Sequence, residues 1–265
     1  MIDKINTISL LMIILIGLPH GALDGAVSLC LEIKKKINKI IFLILYVLVA
    51  IIVTLLWILF PEISLILFLL ISIFHFGLGD FEWSKGYSKY LLAYINGGIV
   101  IFGISLFNYE STDNIFKFLA NDTGVVWSFI EYGTFLLIFL IPWFVINISN
   151  LSTFQILRIF IICLLVIFLP PLLSLSIYFC FIHSLNHFMR IIPALKSQMS
   201  STKIVNLFIL FTFASWILGY LVFNYFSGQV NQTELIYKIV FIGLAALTVP
   251  HMLLIDLYFR PKKEI

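Results

Sequence analysis

The chain has 265 residues, of which 62% are apolar and only 11% are Asp, Glu, Lys or Arg, with a mean hydropathy of +1.13. That balance excludes an ordinary soluble domain, and continuous apolar runs about twenty residues long exclude a β-barrel, whose strands alternate in polarity. The formal charge of +3 does not mark a nucleic-acid partner, because the basic residues gather at the ends of apolar runs, where cytoplasmic loops carry them.

The expected fold is all-α, a polytopic transmembrane helical bundle forming one integral membrane domain over residues 1–265. Apolar runs and breakers place about nine spans, at 7–30, 40–60, 63–80, 89–108, 125–147, 154–169, 172–192, 204–226 and 235–258, with eight as the alternative count. The first run reads as a span rather than a signal peptide, since cleavage near Ala22 or Ala26 would strand His20 and leave no soluble domain behind it. The sixth run is short, and Pro170-Pro171 supplies its stop. Residues 109–123 form the sizeable external loop, with room for a short surface helix.

With the amino terminus outside, Lys34, Lys35, Lys36, Lys39, Lys85, Lys89, Arg158, Arg190, Lys196, Lys203, Arg260, Lys262 and Lys263 lie at cytoplasmic ends. Only Lys4, Lys117 and Lys238 fall on the other side. This asymmetry predicts a multi-pass protein of the cytoplasmic (inner) cell membrane with its carboxyl terminus inside. Cys30, Cys163 and Cys180 form no CxxC and read as packing residues.

All five histidines, His20, His75, His183, His187 and His251, fall inside apolar runs. An imidazole in a span is costly and faces a partner, a cavity or a metal, so this placement predicts a site. Counted from the inner end of each span, all five lie roughly 7–15 Å deep at about 1.5 Å per residue.

Leu18-Pro19-His20-Gly21-Ala22-Leu23-Asp24 predicts a broken or kinked helix, because Pro19 removes a backbone donor and Gly17 and Gly21 flank it. Asp24, four residues after His20, is the expected acceptor for the His20 ring. His75 precedes Asp80 and His251 precedes Asp256 by five residues, about 140° off the same helical face, which makes these carboxylates weaker supports than Asp24. His183 and His187 are one turn apart on one face, the spacing with which one helix gives two ligands to one metal.

Imidazoles suit Fe, Zn, Cu and Ni, and no thiolate joins them. Zinc would serve hydrolysis, whereas a redox iron with open positions can bind O2; composition leaves that choice open.

The strings Gly17-Leu18-Pro19-His20-Gly21-Ala22-Leu23-Asp24, His75-Phe76-Gly77 with Asp80, His183-Ser184-Leu185-Asn186-His187 and Pro250-His251 resemble the signature of the Brp/Blh family of bacterial and archaeal β-carotene 15,15'-dioxygenases. Motif order and chain length agree over essentially the whole chain. The resemblance implies a non-haem Fe(2+) enzyme that cleaves β-carotene with O2 into two molecules of all-trans-retinal within the lipid bilayer, often supplying a rhodopsin. It also implies His20, His75, His183 and His187 as iron ligands, leaving His251 as a further ligand or a residue of the oxygen pocket.

Two other readings carry different chemistry. A di-iron membrane desaturase or hydroxylase generally needs about eight histidines in HxxxH and HxxHH boxes, more than this chain has. A non-enzymatic haem-binding membrane protein would use imidazole pairs axially, which suits two ligands sharing one helical face less well than adjacent positions on a single ion.

Overall fold

Each apolar run folds as helix. The computed structural model describes residues 2–33, 38–80 and 87–255, and no strand occurs among them. The α-helices are α1 (Lys4–Met12), α2 (Asp24–Ile33), α3 (Lys39–Leu59), α4 (Pro61–Asp80), α5 (Tyr87–Phe107), α6 (Tyr109–Leu119), α7 (Thr123–Asn147), α8 (Thr153–Phe168), α9 (Pro171–Ile177), α10 (Ser184–Lys196), α11 (Ser201–Phe226) and α12 (Gln232–Met252).

Polar residues set several of the starts. Asp122 caps α7, Ser152 and Gln155 form a reciprocal capping box at α8, Ser200 caps α11, and Asn231 caps α12. Pro171 opens α9 in the first turn, where its missing N–H costs nothing.

Among the described residues, eight helical stretches are long and apolar enough to cross a membrane: Lys4–Cys30, Ile40–Leu59, Pro61–Asp80, Lys89–Phe107, Thr123–Asn147, Pro171–Lys196, Ser201–Phe226 and Gln232–Ile255. The sixth apolar run, the one left over, is α8, whose 16 residues reach only about 24 Å against a hydrocarbon core of about 30 Å. In the most apolar stretches of α3, α7 and α11 only 6%, 6% and 11% of the residues are buried, and these helices present Ile, Leu and Phe outward. Such faces belong to a membrane protein. The expected surface helix is α6.

Packing divides the chain into two units, Met1–Met12 with Phe60–Asn186, and Ile13–Leu59 with His187–Ile265. In lipid the hydrophobic effect contributes little to helix association, so close contact and hydrogen bonds must hold each unit together.

The first unit is built on a seam between α4 and α5. A Cβ on Gly77 would sit 1.9 Å from the Ala93 carbonyl oxygen, and one on Gly97 would sit 1.9 Å from that of Ile73. Two glycines, one on each helix, thus let the backbones touch and fix the depth of the His75 turn between them. Farther along α5, Phe102 fills the space over Gly133 of α7, and Val166 of α8 covers Gly103.

The second unit begins where the first span breaks. A π turn, Ile13–Gly17, runs into a 3-10 turn, Leu18–Leu23, before α2 resumes at Asp24. This is the break that Pro19 predicts. Irregular backbone at this depth needs donors from elsewhere, and Trp216 of α11 donates its indole N–H to the Ile14 carbonyl at 2.9 Å. Leu23, Ala26, Val27 and Cys30 pack with Ile191, Leu195, Ile204, Leu254 and Ile255 to form this unit's core. Cys30 and Cys180 are buried, and none of the three cysteines forms a disulfide.

Candidate functional site

All five histidines are buried, none more than 7% exposed. Each unit holds its own group of them.

In the first unit, α4 supplies His75 and, at its last residue, Asp80. A π turn, Tyr178–His183, links α9 to α10 and supplies Tyr178 and His183. The i→i+5 pattern of a π turn brings residues five apart toward one face, so Tyr178 and His183 both reach Asp80, which a regular α-helix would prevent. His183 Nδ1 lies 2.8 Å from Asp80 Oδ1, and the Tyr178 hydroxyl donates to Oδ2. Because a carboxylate oxygen accepts, His183 donates from Nδ1, and in the neutral imidazole Nε2 then carries the lone pair.

That lone pair faces His75, with the two Nε2 atoms 3.1 Å apart. Two nitrogens held about 2.1 Å from one ion are about 3.0 Å apart at a right angle and about 3.4 Å apart at the tetrahedral angle, so the observed gap is that of neighbouring ligands. Phe76 packs edge-on against both Tyr178 and His183. Arg158 of α8 donates to the Asp80 backbone carbonyl at 2.6 Å and to Asn186 Oδ1 at 3.2 Å, tying the end of α4 in place.

In the second unit, the 3-10 turn carries His20, α10 carries His187, and α12 carries His251. Their ring centroids are 5.4, 5.2 and 4.9 Å apart, all edge to face. Imidazoles sharing one ion have centroids about 4.5–5.2 Å apart, so this trio is close to that spacing. His20 Nδ1 donates to the Gly17 carbonyl, which leaves Nε2 as its acceptor nitrogen. His251 Nδ1 is 2.8 and 3.0 Å from the two oxygens of Asp24. Asp24 also accepts the Tyr46 hydroxyl at 2.9 Å, and the Leu247 carbonyl lies 3.3 Å from that hydroxyl.

The structure corrects the expected partner of Asp24. It serves His251 instead of His20, because the 3-10 turn eclipses residues three apart, turning His20 onto the Gly17 carbonyl and carrying Asp24 off that face. Asp80, rated the weaker support for its own helix's His75, holds His183 of another element. Asp256 lies outside the described residues. Sequence reasoning missed Tyr46 and Tyr178, gave Asn186 no role although it stands inside the His183–His187 string, and read Arg158 only as a charge at a cytoplasmic end. A lone charge in a short apolar run was the signal that Arg158 offered.

Buried imidazoles with carboxylates and carbonyls behind them, and no thiolate among them, form a donor set that suits a borderline metal ion. The family model for β-carotene 15,15'-dioxygenase matches residues 11–259, a stretch that includes every histidine. The chain belongs to the β-carotene 15,15'-dioxygenase family. It is 35% identical over 269 residues to the β-carotene 15,15'-dioxygenase of the uncultured marine bacterium 66A03, an alignment covering 97% of this chain and 95% of that protein. No solved structure matches the chain. Family membership agrees with the resemblance carried by the histidine strings, and the carboxylate-backed imidazoles are the part of this family member that the motifs alone do not reveal.

Proposed function

We propose that this chain cleaves β-carotene with O2 at the central 15,15' double bond, giving two molecules of all-trans-retinal. One C=C bond breaks and a C=O bond forms at each freed carbon, while one O2 is reduced per carotenoid. The reading rests above all on the kinship along nearly the whole chain.

We further infer that His20, His75, His183 and His187 hold one Fe(2+), with His251 beside them, and that residues 1–265 act as a single integral membrane domain. The 3.1 Å gap between His75 and His183, the i, i+4 spacing of His183 and His187, and the three-ring group of His20, His187 and His251 support that set. When bound, iron supplies the one-electron chemistry that lets O2 react with a closed-shell polyene. The chain's own contribution is to orient the imidazoles through Asp24, Asp80 and the Gly17 carbonyl, and to exclude water with buried apolar side chains such as Phe76.

A rigid hydrocarbon substrate resides in the bilayer, so an enzyme within the cell membrane avoids moving it through water. Charge asymmetry supports an external amino terminus and a cytoplasmic carboxyl terminus. The product is the chromophore of a retinal-binding rhodopsin, the natural consumer of this reaction.

Expression in cells that accumulate β-carotene should bleach them and produce retinal. Persistence of the carotenoid, with the protein present in the membrane, would reject the activity.

A further inference from the structure

Two aspartates far apart in the chain are built into the same arrangement. Asp80 receives His183 Nδ1 on Oδ1 and the Tyr178 hydroxyl on Oδ2; Asp24 receives His251 Nδ1 mainly on Oδ1, with Oδ2 also at 3.0 Å, and the Tyr46 hydroxyl on Oδ2. The separations along the chain are 98 and 103 residues in the first case and 22 and 227 in the second. A π turn pairs Tyr178 with His183, but no local motif or helical period brings either aspartate to its partners. The two arrangements therefore answer the same physical need in different surroundings.

A buried carboxylate held by one donor can turn about its side-chain bond and leave the imidazole free to exchange its proton between the two nitrogens. A second donor, fixed at the end of a rigid phenol, pins both oxygens. Asp24 and Asp80 are 4% and 6% exposed, so water is a poor substitute for that donor.

We propose that Tyr46 and Tyr178 are positioning residues, and that His251 is a metal-directed imidazole held in the second unit as His183 is held in the first. Each phenol fixes a carboxylate, the carboxylate fixes the Nδ1–H tautomer, and Nε2 is left with its lone pair outward. The proposal rests on the metal-binding reading above and assigns His251 to the metal's side of the site.

The test uses the full chain in detergent, metal-free and labelled with 15N at histidine, with Co(II) as the probe ion. In the unaltered protein His183 and His251 should each show the pure Nδ1–H form, and Co(II) should broaden the Nε2 signal of both. Tyr46→Phe should mix the tautomers of His251 alone, Tyr178→Phe those of His183 alone, and each should weaken Co(II) binding about tenfold. Tyr94→Phe, which removes a hydroxyl bonded to the Gly133 carbonyl, should change neither reading. Unchanged tautomers and affinity in Tyr46→Phe would overturn the proposal. Should that variant not fold, a His251 Nε2 signal in the unaltered protein that ignores Co(II) would overturn it as well. Failure to cleave β-carotene would leave all these readings in place, so the two conclusions fail separately.

Discussion

Asp80 and Asp24 perform the same task on scaffolds of opposite kind. Asp80 ends a regular helix that is seated on α5 by two glycines and tied by Arg158 through its backbone carbonyl. Asp24 follows directly on a π turn and a 3-10 turn, and its tyrosine comes from α3, whose most apolar stretch has only 6% of its residues buried. Both groups use side-chain hydrogen bonds, but the first adds a tightly packed backbone seam, whereas the second is set on irregular backbone. Substitutions in the backbone seam should therefore act through stability in the first unit, while polar substitutions around the aspartates should act through imidazole orientation in either unit.

The largest expected effect ignores that contrast. His183→Ala in one unit and His187→Ala in the other should each reduce retinal formation more than about a hundredfold, since loss of a ligand exceeds the usual cost of losing a residue behind one. Equal losses measured with β-carotene in detergent would place both units in one reaction; a large loss in only one variant would break the pairing.

Backbone packing separates the units more sharply. Gly77→Ala and Gly97→Ala each force a Cβ into a carbonyl oxygen and should cost about 1–3 kcal/mol in thermal unfolding. Gly21→Ala, beside His20, meets nothing within 4 Å and should stay within about 0.5 kcal/mol. A comparable loss at Gly21 would show that the broken turn is as tightly packed as the seam.

A smaller effect is expected from Arg158→Lys, which keeps the charge but loses the fork that spans the Asp80 carbonyl and Asn186. Metal affinity should fall by less than about tenfold, read by Co(II) titration. The smallest lies outside the spans, on α6. Hydrogen bonding from Lys117, aided by Trp127, holds the Asp113 carboxyl below the usual range. Its contribution to stability is present above the ordinary carboxylate pKa and disappears as pH falls through the lowered value. Asp113→Asn should thus lower the unfolding temperature slightly at neutral pH and not below that range, without altering metal affinity.

Much of this architecture was legible in the sequence. Apolar runs give the spans because lipid admits little else, and Pro19 between Gly17 and Gly21 gives the break. The histidines stand out because imidazoles are scarce and costly at such depth. What was not legible depends on tertiary contact. A tyrosine in an apolar helix looks like packing, and nothing near Tyr46 or Tyr178 in sequence announces a carboxylate brought from elsewhere in the chain. Assigning Asp24 to His20 assumed regular helix at the point where Pro19 breaks it. Rating Asp80 below Asp24 assumed that a carboxylate serves its own helix, whereas the π turn delivers His183 and Tyr178 to it together.

The proposal to be tested is that His20, His75, His183 and His187 hold one iron. Metal analysis of the purified protein beside His75→Ala from the first unit and His20→Ala from the second tests it most directly. The account predicts one iron per chain in the unaltered protein and loss of that iron from both variants. Iron retained in either variant, or a second iron in the unaltered protein, would contradict it.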